Sequence, residues 1–349
     1  MAFSPAPDSP SAPTTGAAAP ATAGPGSRRP GPEGLGSPRS GAERKAGLLL
    51  GLGAYGIWGL LPLYFALLAP AGPLEIVAVR VLWSVAFCVL LIAAGRQWRE
   101  LGAVLRNRAA LLKLSLAALL IGVNWLVFAF AVLAGRALEA SLGYFINPLV
   151  AVLLGVVLLK ERLNRLQWSA MGIGLAAVLL LTFASGSPPW IALALAGTFG
   201  LYGLVKKNVG ANVGALAGLT VETAALTPPA ALAMAWLGMT GAATAASHGA
   251  AHFWLLAAGG IITALPLILF SAAARRLPLS VVGMLQYVAP VMQFLLALLV
   301  FHEEMPPERW AGFGLIWAAL VLLSADMVRG ARASAHPRAR RHRARQAVR

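Results

Sequence analysis

Long apolar stretches constrain this chain more than any other feature of its sequence. A helix that crosses a bilayer needs about 20 mainly apolar residues, because lipid offers its backbone groups no hydrogen-bond partners. Charged residues make up only 11% of the chain, against about 25% in a typical soluble domain. We therefore predict an all-α polytopic membrane protein with ten transmembrane helices, at residues 46–68, 74–94, 111–133, 137–159, 166–184, 188–205, 212–236, 253–274, 279–300 and 309–328.

The two ends of the chain lie outside these spans and differ from them in composition. Residues 1–45 are rich in Pro, Gly, Ala and Ser, and a segment with so little to bury is expected to be disordered. Residues 329–349 carry many arginines and no acidic residue, which is typical of an arm that contacts anionic lipid headgroups. Because no base-reading motif accompanies this positive charge, we expect no nucleic-acid partner.

The 28 Lys and Arg residues predict how the spans are oriented. With a cytoplasmic N-terminus, nearly all of them fall in cytoplasmic segments, leaving Arg136 and Arg309 outside and Arg80 within a span. This is the charge bias of membrane proteins, so we expect an inner-membrane protein with both termini in the cytoplasm. Residues 1–45 lack the pattern of a cleaved secretory signal, and the first span is therefore expected to start insertion uncleaved.

A glycine motif within the first span has two interpretations. The stretch GLGAYGIWG at residues 51–59 matches the G-x-G-x-x-G pattern of dinucleotide-binding folds through Gly51, Gly53 and Gly56. That pattern binds a nucleotide only between a strand and a helix, with an acidic residue about 20 positions later, and this context is missing here. Small residues at such spacings also let transmembrane helices pack closely, so we interpret the glycines as packing positions and expect no cofactor.

The same motif occurs a second time, since GTFGLYG at residues 197–203 matches GAYGIWG at 53–59. At nearly the same separation, Pro148, Glu161, Trp168 and Gly172 match Pro290, Glu303, Trp310 and Gly314. We interpret residues 46–184 and 188–328 as two five-helix repeats, with a shared corner where Lys160 matches His302. Because five is an odd number, the second repeat enters the membrane upside down, which is the inverted-repeat architecture typical of secondary transporters.

Several runs of this sequence resemble those of a known family. They are GAYGIWGLLPLYF at 53–65, EIVAVRVLWS at 75–84, NWLVFAFAV at 124–132, EASLGYFINPLVAVLLGVVLLKERLNRLQW at 139–168 and QYVAPVMQFLLALLVFHE at 286–303. Together they resemble the RarD branch of the EamA-type proteins, in the drug/metabolite transporter superfamily, over about residues 46–328. The resemblance implies ten helices and an inner-membrane permease for a small organic solute or drug, with chloramphenicol as one candidate.

Ionisable residues within the spans are candidate functional residues, because a charge is costly to place inside a bilayer. Glu222 precedes Pro228 and Pro229 in the seventh span, and Arg80 lies in the second. These spans are the second helices of the two repeats, so we expect them to face each other and to allow a charge pair. Glu222 either binds a polar solute group or carries a coupling proton, or the two charges form a static buried pair.

Polar, aromatic and proline residues complete the candidate site. The substrate-binding candidates besides Glu222 and Arg80 are Asn124, Asn147, Gln286, Gln293, Trp58, Trp125, Tyr144 and Tyr287. Each has a structural alternative, because amides also hold transmembrane helices together and aromatics also pack them or anchor them at the interface. Proline bends a helix by removing a hydrogen bond, which predicts hinges at Pro62, Pro148, Pro228, Pro266 and Pro290. Glu75 and Glu139, at the ends of their spans, are expected to be interfacial.

The inventory of reactive residues argues against an enzyme. Aspartate occurs only at Asp8 and Asp326, which excludes a paired-aspartate protease, and Cys88 is the single cysteine. His248 and His252 lack a third metal ligand nearby, and we interpret them as solvated loop residues and predict no metal site. Two hypotheses remain open, a secondary transporter that works by alternating access and a non-transporting membrane scaffold or sensor with a transporter-like fold.

Overall fold

A computed structural model describes residues 41–160, 162–209 and 213–346 of the chain. Residues 1–40 of the predicted disordered tail lie outside this part, and residues 41–45 of that tail are helical, because the first helix begins at Gly41. In the predicted basic tail the last helix continues to Gln346.

The described part of the chain is helical, without strands. The helices are α1 (Gly41–Gly59), α2 (Leu61–Leu67), α3 (Pro73–Ala94), α4 (Trp98–Arg106), α5 (Arg108–Leu133), α6 (Ala137–Leu159), α7 (Arg165–Ser185), α8 (Trp190–Val209), α9 (Ala215–Met239), α10 (Gly249–Ala274), α11 (Leu279–Leu285), α12 (Val288–Leu299) and α13 (Pro307–Gln346). Each predicted span falls on one of these helices or on a pair of them. The prediction of an all-α polytopic membrane protein is confirmed.

The number of helices that can cross a membrane by themselves is smaller than ten. Within the described residues, seven stretches are long and apolar enough, or eight if α1 and α2, which meet at a bend of 42°, count as one span. Helices α8 and α9 fall outside this set. Their mean hydropathy is lowered by Lys206 and Lys207 in α8 and by Glu222 and two prolines in α9.

The predicted hinge prolines divide into two groups. Pro62 lies in the first turn of α2, just after the bend between α1 and α2, and Pro290 follows the break between α11 and α12. By contrast Pro148, Pro228 and Pro266 lie inside helices that continue past them. The clearest breaks therefore occur in the first span of one half and in the fourth span of the other, and the matching spans, α8 and α6, are continuous.

Contacts between helices join the two halves of the chain in matched pairs. Helix α5 packs on α8 as α10 packs on α1, and α10 packs on α3 as α5 packs on α9. Helix α6 packs on α8 as α12 packs on α1, while α3 packs on α9 and α7 on α13. All of these contacts run between the halves, so the two repeats are interleaved and share one core.

The predicted corner recurs in the backbone of both halves. Lys160 has a φ of 56° and its match His302 a φ of 50°. A positive φ is uncommon in residues other than glycine, so the same rare conformation at matching positions confirms a shared corner. Glu161 itself lies outside the described residues.

The glycine motif serves helix packing at some of its positions. A Cβ added at Gly51 would lie 2.7 Å from Leu285, and one at Gly200 would lie 2.8 Å from Val150. Gly56, Gly197 and Gly203 have no neighbour within 4 Å of such a Cβ. Close packing therefore explains part of the motif and leaves the other three glycines without a packing role.

A close approach of two helix backbones provides a test of this packing. A Cβ at Gly260 of α10 would lie 2.5 Å from the carbonyl carbon of Trp83 in α3. We predict that Gly260→Ala lowers the free energy of unfolding by about 1–3 kcal/mol, because backbone cannot move aside as a side chain can. Thermal unfolding in detergent measures the effect, with Gly314→Ala as control because nothing lies within 4 Å of that position. Equal melting temperatures for the two variants would contradict the packing.

Candidate functional site

The arginine of the second span lies in the core of the bundle. Arg80 of α3 is 3% exposed, and its Nε donates to Thr263 Oγ1 of α10 at 2.5 Å. Its guanidinium carbon lies 4.2 Å from the ring centre of Trp125. Tyr64 and Tyr144 also face the charge. The guanidinium is thus enclosed by groups from four other helices.

This guanidinium is short of hydrogen-bond acceptors. It carries five N–H donors, yet its Nη1 atom is buried without a partner. The ion pairs found among the described residues are Arg136 with Glu139 and Lys206 with Glu222, so none of them involves Arg80. A desolvated cation–π contact contributes about 2 kcal/mol, whereas burying a charge without a charged partner costs several kcal/mol. Arg80 is therefore held at a net cost in this arrangement.

Asn124 and Tyr144 form a polar group next to Arg80. The Tyr144 hydroxyl donates to Asn124 Oδ1 at 3.2 Å, and Asn124 Nδ2 donates to the Leu195 carbonyl and to Thr198 Oγ1 at 3.0 and 2.9 Å. Asn124 is fully engaged and ties α5 to α8, which is the structural alternative for an amide. The hydrogen bond fixes the ring of Tyr144 beside the guanidinium. We call Arg80 and the side chains around it the Arg80 site, and its members are Tyr64, Trp125, Tyr144 and Thr263.

The remaining amide and aromatic candidates lie elsewhere in the bundle. Gln293 Nε2 donates to the Trp58 carbonyl at 3.0 Å and joins α12 to α1. Gln286 is exposed at the break between α11 and α12, and Tyr287 lines an apolar groove of about 860 Å³ beside α13. Asn147 Oδ1 and Gln293 Oε1 are buried without partners. Of the predicted set, the structure brings together Arg80, Trp125, Tyr144 and Asn124.

Glu222 pairs with a lysine of the neighbouring helix. Its carboxylate accepts a hydrogen bond from Lys206 Nζ at 2.6 Å and one from the Tyr202 hydroxyl at 3.3 Å. The Glu222 side chain is 3% exposed and that of Lys206 31%. The expected pair between Glu222 and Arg80 is therefore wrong.

The helix geometry explains why Glu222 and Arg80 do not meet. Each lies about 10 Å from the first residue of its helix, and α3 and α9 start at opposite ends of the bundle. The sequence analysis missed Lys206 because the predicted span 188–205 stops before it. Helix α8 continues to Val209 and so carries the lysine to Glu222.

Three further glutamates connect the two halves at one end of the bundle. Glu75 at the start of α3 accepts from the backbone N–H groups of Thr244 and Ala245 at 2.7 and 2.8 Å. Glu303 accepts from the N–H groups of Ala137 and Leu138 at 2.6 and 2.9 Å. We call Glu75, Glu139 and Glu303 the glutamate clasp, because each carboxylate binds backbone of the other half.

The third member of the clasp binds the start of α8. Glu139 Oε1 accepts from the Ile191 N–H group at 3.0 Å, and its other oxygen pairs with Arg136. Backbone N–H groups at a helix start carry partial positive charge that favours a carboxylate. Burial raises the pKa of Glu303 above its usual value in spite of its two N–H donors and of nearby Arg136 and Arg309. The clasp thus combines favourable contacts with a cost of desolvation.

The two ends of the bundle differ in the groups they carry. The glutamate end consists of the starts of α3, α6 and α8 and the links from α9 to α10 and from α12 to α13. The basic end, opposite to it, includes α4 and the link from α10 to α11. Glu75 lies at the glutamate end in the first turn of α3, and the residue is 1% exposed because its side chain is packed against the other half.

One histidine departs from its expected place. His252 lies inside α10 and is buried, so it is not a solvated loop residue. Its Nε2 lies 2.8 Å from Thr244 Oγ1, which donates to Glu75 at 2.8 Å. His248 is exposed, as expected. The histidine at the start of α10 therefore supports the loop that the clasp binds.

Comparison with known proteins identifies the family. The model of the EamA-like transporter family matches residues 45–183 and 188–325. This chain belongs to that family. Among its EamA relatives, Protein RarD of Streptomyces exfoliatus is 52% identical over 84% of this chain and 92% of its own length. An uncharacterized transporter, YojE of Bacillus subtilis, is 44% identical over 84% and 98% of the two chains.

A third EamA relative has a more specific name. Chloramphenicol-sensitive protein RarD of Pseudomonas aeruginosa is 38% identical over 81% of this chain and 95% of its own length. The resemblance to the RarD branch is therefore confirmed, and the chain is a multi-pass membrane protein of a transporter family. The two matched segments overlap the predicted repeats, residues 46–184 and 188–328, in all but their last few residues.

The pair at the basic end of this EamA protein allows a test of how its charges are balanced. We predict that Lys206→Met lowers the free energy of unfolding by about 1–3 kcal/mol, because Glu222 stays buried without its cation and the partial exposure of Lys206 moderates the loss. Adding Glu222→Gln should restore most of the stability. Thermal unfolding measures both, with exposed Lys207→Met as control. A double variant no more stable than the single one would contradict the coupling.

Proposed function

We propose that this protein is a secondary transporter of the cell inner membrane, a permease for a small organic solute or drug. Membership of a transporter family supports the proposal, and the observation that carries it is the buried, incompletely paired Arg80 between helices of the two halves. In the proposed topology, ten helices form two inverted five-helix repeats with both termini in the cytoplasm. The arginine-rich end of α13 then lies where it can contact anionic lipid headgroups.

The proposed mechanism is alternating access around the Arg80 site. In inverted-repeat transporters one bundle rocks against the other around a site near the bilayer midplane. Here the glutamate clasp holds one end closed through contacts between the halves. The pair of Lys206 with Glu222 lies toward the basic end. In this mechanism Glu222 binds and releases the coupling proton there. The breaks at Pro62 and Pro290 supply compliant points for the motion.

The identity of the solute is a separate part of the proposal. Chloramphenicol is a candidate because one relative is named a chloramphenicol-sensitive protein. The alternative function is a membrane scaffold or sensor that retains a transporter fold. A scaffold has little use for a buried cation without a counterion, which favours transport. No catalytic step is part of the proposal.

The test is accumulation of labelled chloramphenicol in cells that express the wild type, Glu222→Gln or neither, at matched membrane levels. If chloramphenicol is the solute, we predict that only the wild type changes its accumulation and that a protonophore abolishes the change, because the carboxyl group that carries the coupling proton is lost in the variant. Equal accumulation in all three strains would remove chloramphenicol as the solute. If the three strains also accumulate every solute of an organic panel equally, the transporter hypothesis is contradicted and the scaffold hypothesis remains.

A further inference from the structure

The incomplete pairing of Arg80 indicates what kind of solute this site takes. We propose that Arg80 is the binding group for an organic anion, and that the solute is a small carboxylate with an apolar, ring-bearing body. The inference rests on the proposed transporter, and the substrate class that it names differs from chloramphenicol, which is a neutral molecule without a carboxylate. The inference follows from the charges of the groups that face Arg80, from the N–H donors of its guanidinium and from the aromatic side chains around it.

The first step concerns charge. The groups that face Arg80 are Thr263 from α10, Trp125 from α5, Tyr144 from α6 and Tyr64 from α2. At neutral pH none of them carries a negative charge, and Glu222 is occupied by Lys206 near the other end. A buried charge is stable only when it is paired and hydrogen-bonded. An anionic solute would supply the counter-charge that Arg80 does not find among these groups and would lower the cost of burying the guanidinium.

The second step concerns hydrogen bonds. The donor Nε is used by Thr263, whereas the buried Nη1 has no acceptor in the described part of the chain. Guanidinium is a planar fork that binds carboxylates through two parallel hydrogen bonds. Because Nε is taken, the free edge is the one formed by the two terminal nitrogens. A single carboxylate fits this edge.

The third step concerns the body of the solute. Trp125 covers one face of the guanidinium, so a carboxylate has to approach in its plane. Beyond the charge, the Tyr144 ring packs against Phe128 and Phe199 with ring centres 5.6 and 6.1 Å apart. Aromatic rings attract other rings in edge-on or offset arrangements. A solute with an apolar ring therefore packs better against these aromatic side chains than an inorganic anion with its hydration shell.

The test uses benzoate as the probe and benzamide as its neutral analogue of the same shape. Purified full-length protein in detergent is heated with increasing concentrations of either compound, and the shift of the melting temperature gives an apparent Kd. We expect benzoate to stabilise the wild type, and benzamide to bind at least tenfold more weakly. Equal stabilisation by both compounds would overturn the proposal without the need for any variant.

Two substitutions at Arg80 identify the group that binds. We expect Arg80→Lys to weaken benzoate binding at least tenfold, because it keeps the charge and loses the fork, and Arg80→Gln to abolish it. The control is Arg309→Gln, which removes an exposed arginine at the glutamate end. Unchanged benzoate binding in either Arg80 variant would overturn the assignment. Stabilisation by inorganic phosphate as strong as that by benzoate would overturn the organic part of it.

Transport and binding can fail separately in this design. Benzoate that binds through Arg80 but is never moved into proteoliposomes would overturn the proposed transporter and leave the anion site standing. Movement of a neutral drug by a protein that does not bind benzoate would overturn the anion site and leave the transporter. Each of the two proposals therefore has a result that contradicts it alone.

Discussion

A bilayer offers no hydrogen bonds, so every polar group buried in this bundle needs a partner supplied by the protein or by a solute. The structure meets this demand with groups from the other half of the chain. Glu75 and Glu303 bind backbone N–H groups across the halves, and Asn124 ties α5 to α8. In the part of the chain that the structure describes, four buried side chains depart from this pattern, since Ser84, Asn147 and Gln293 each keep a neutral polar atom without a partner and the charged Arg80 has no acceptor for its Nη1. Among these four side chains Arg80 carries a charge, so the constraint is met least well at the guanidinium.

The interleaving of the halves limits how one half can move against the other. Because α5, α8, α10 and α1 each pack on the opposite half, neither repeat forms a core of its own. A movement of one half against the other must exchange contacts at both ends together. The clasp at the glutamate end and the pair of Lys206 with Glu222 are the polar contacts available for such an exchange.

Much of the architecture could be predicted from local patterns, while the pairing of the charges could not. Apolar windows located every helix except the short α4, and the repeated glycine motif and the Lys160 and His302 corner indicated the two halves. The partner of Glu222 depended on whether α8 stops at 205 or continues to Val209, and windows place helix ends least accurately. Two members of the clasp, Glu75 and Glu303, join residues more than 160 positions apart, as from Glu75 to Thr244, and no periodic signal encodes such a contact.

The central claim is that the two halves move against each other about the Arg80 site, and distances between spin labels test it most directly. In a Cys88→Ala background, one label pair at Ala134→Cys and Ser247→Cys spans the glutamate end, and another at Arg99→Cys and Arg275→Cys spans the basic end. The account predicts that Glu303→Gln, which weakens the clasp, lengthens the distance at the glutamate end and shortens the one at the basic end in lipid. Unchanged distances at both ends, with or without that substitution, would contradict it.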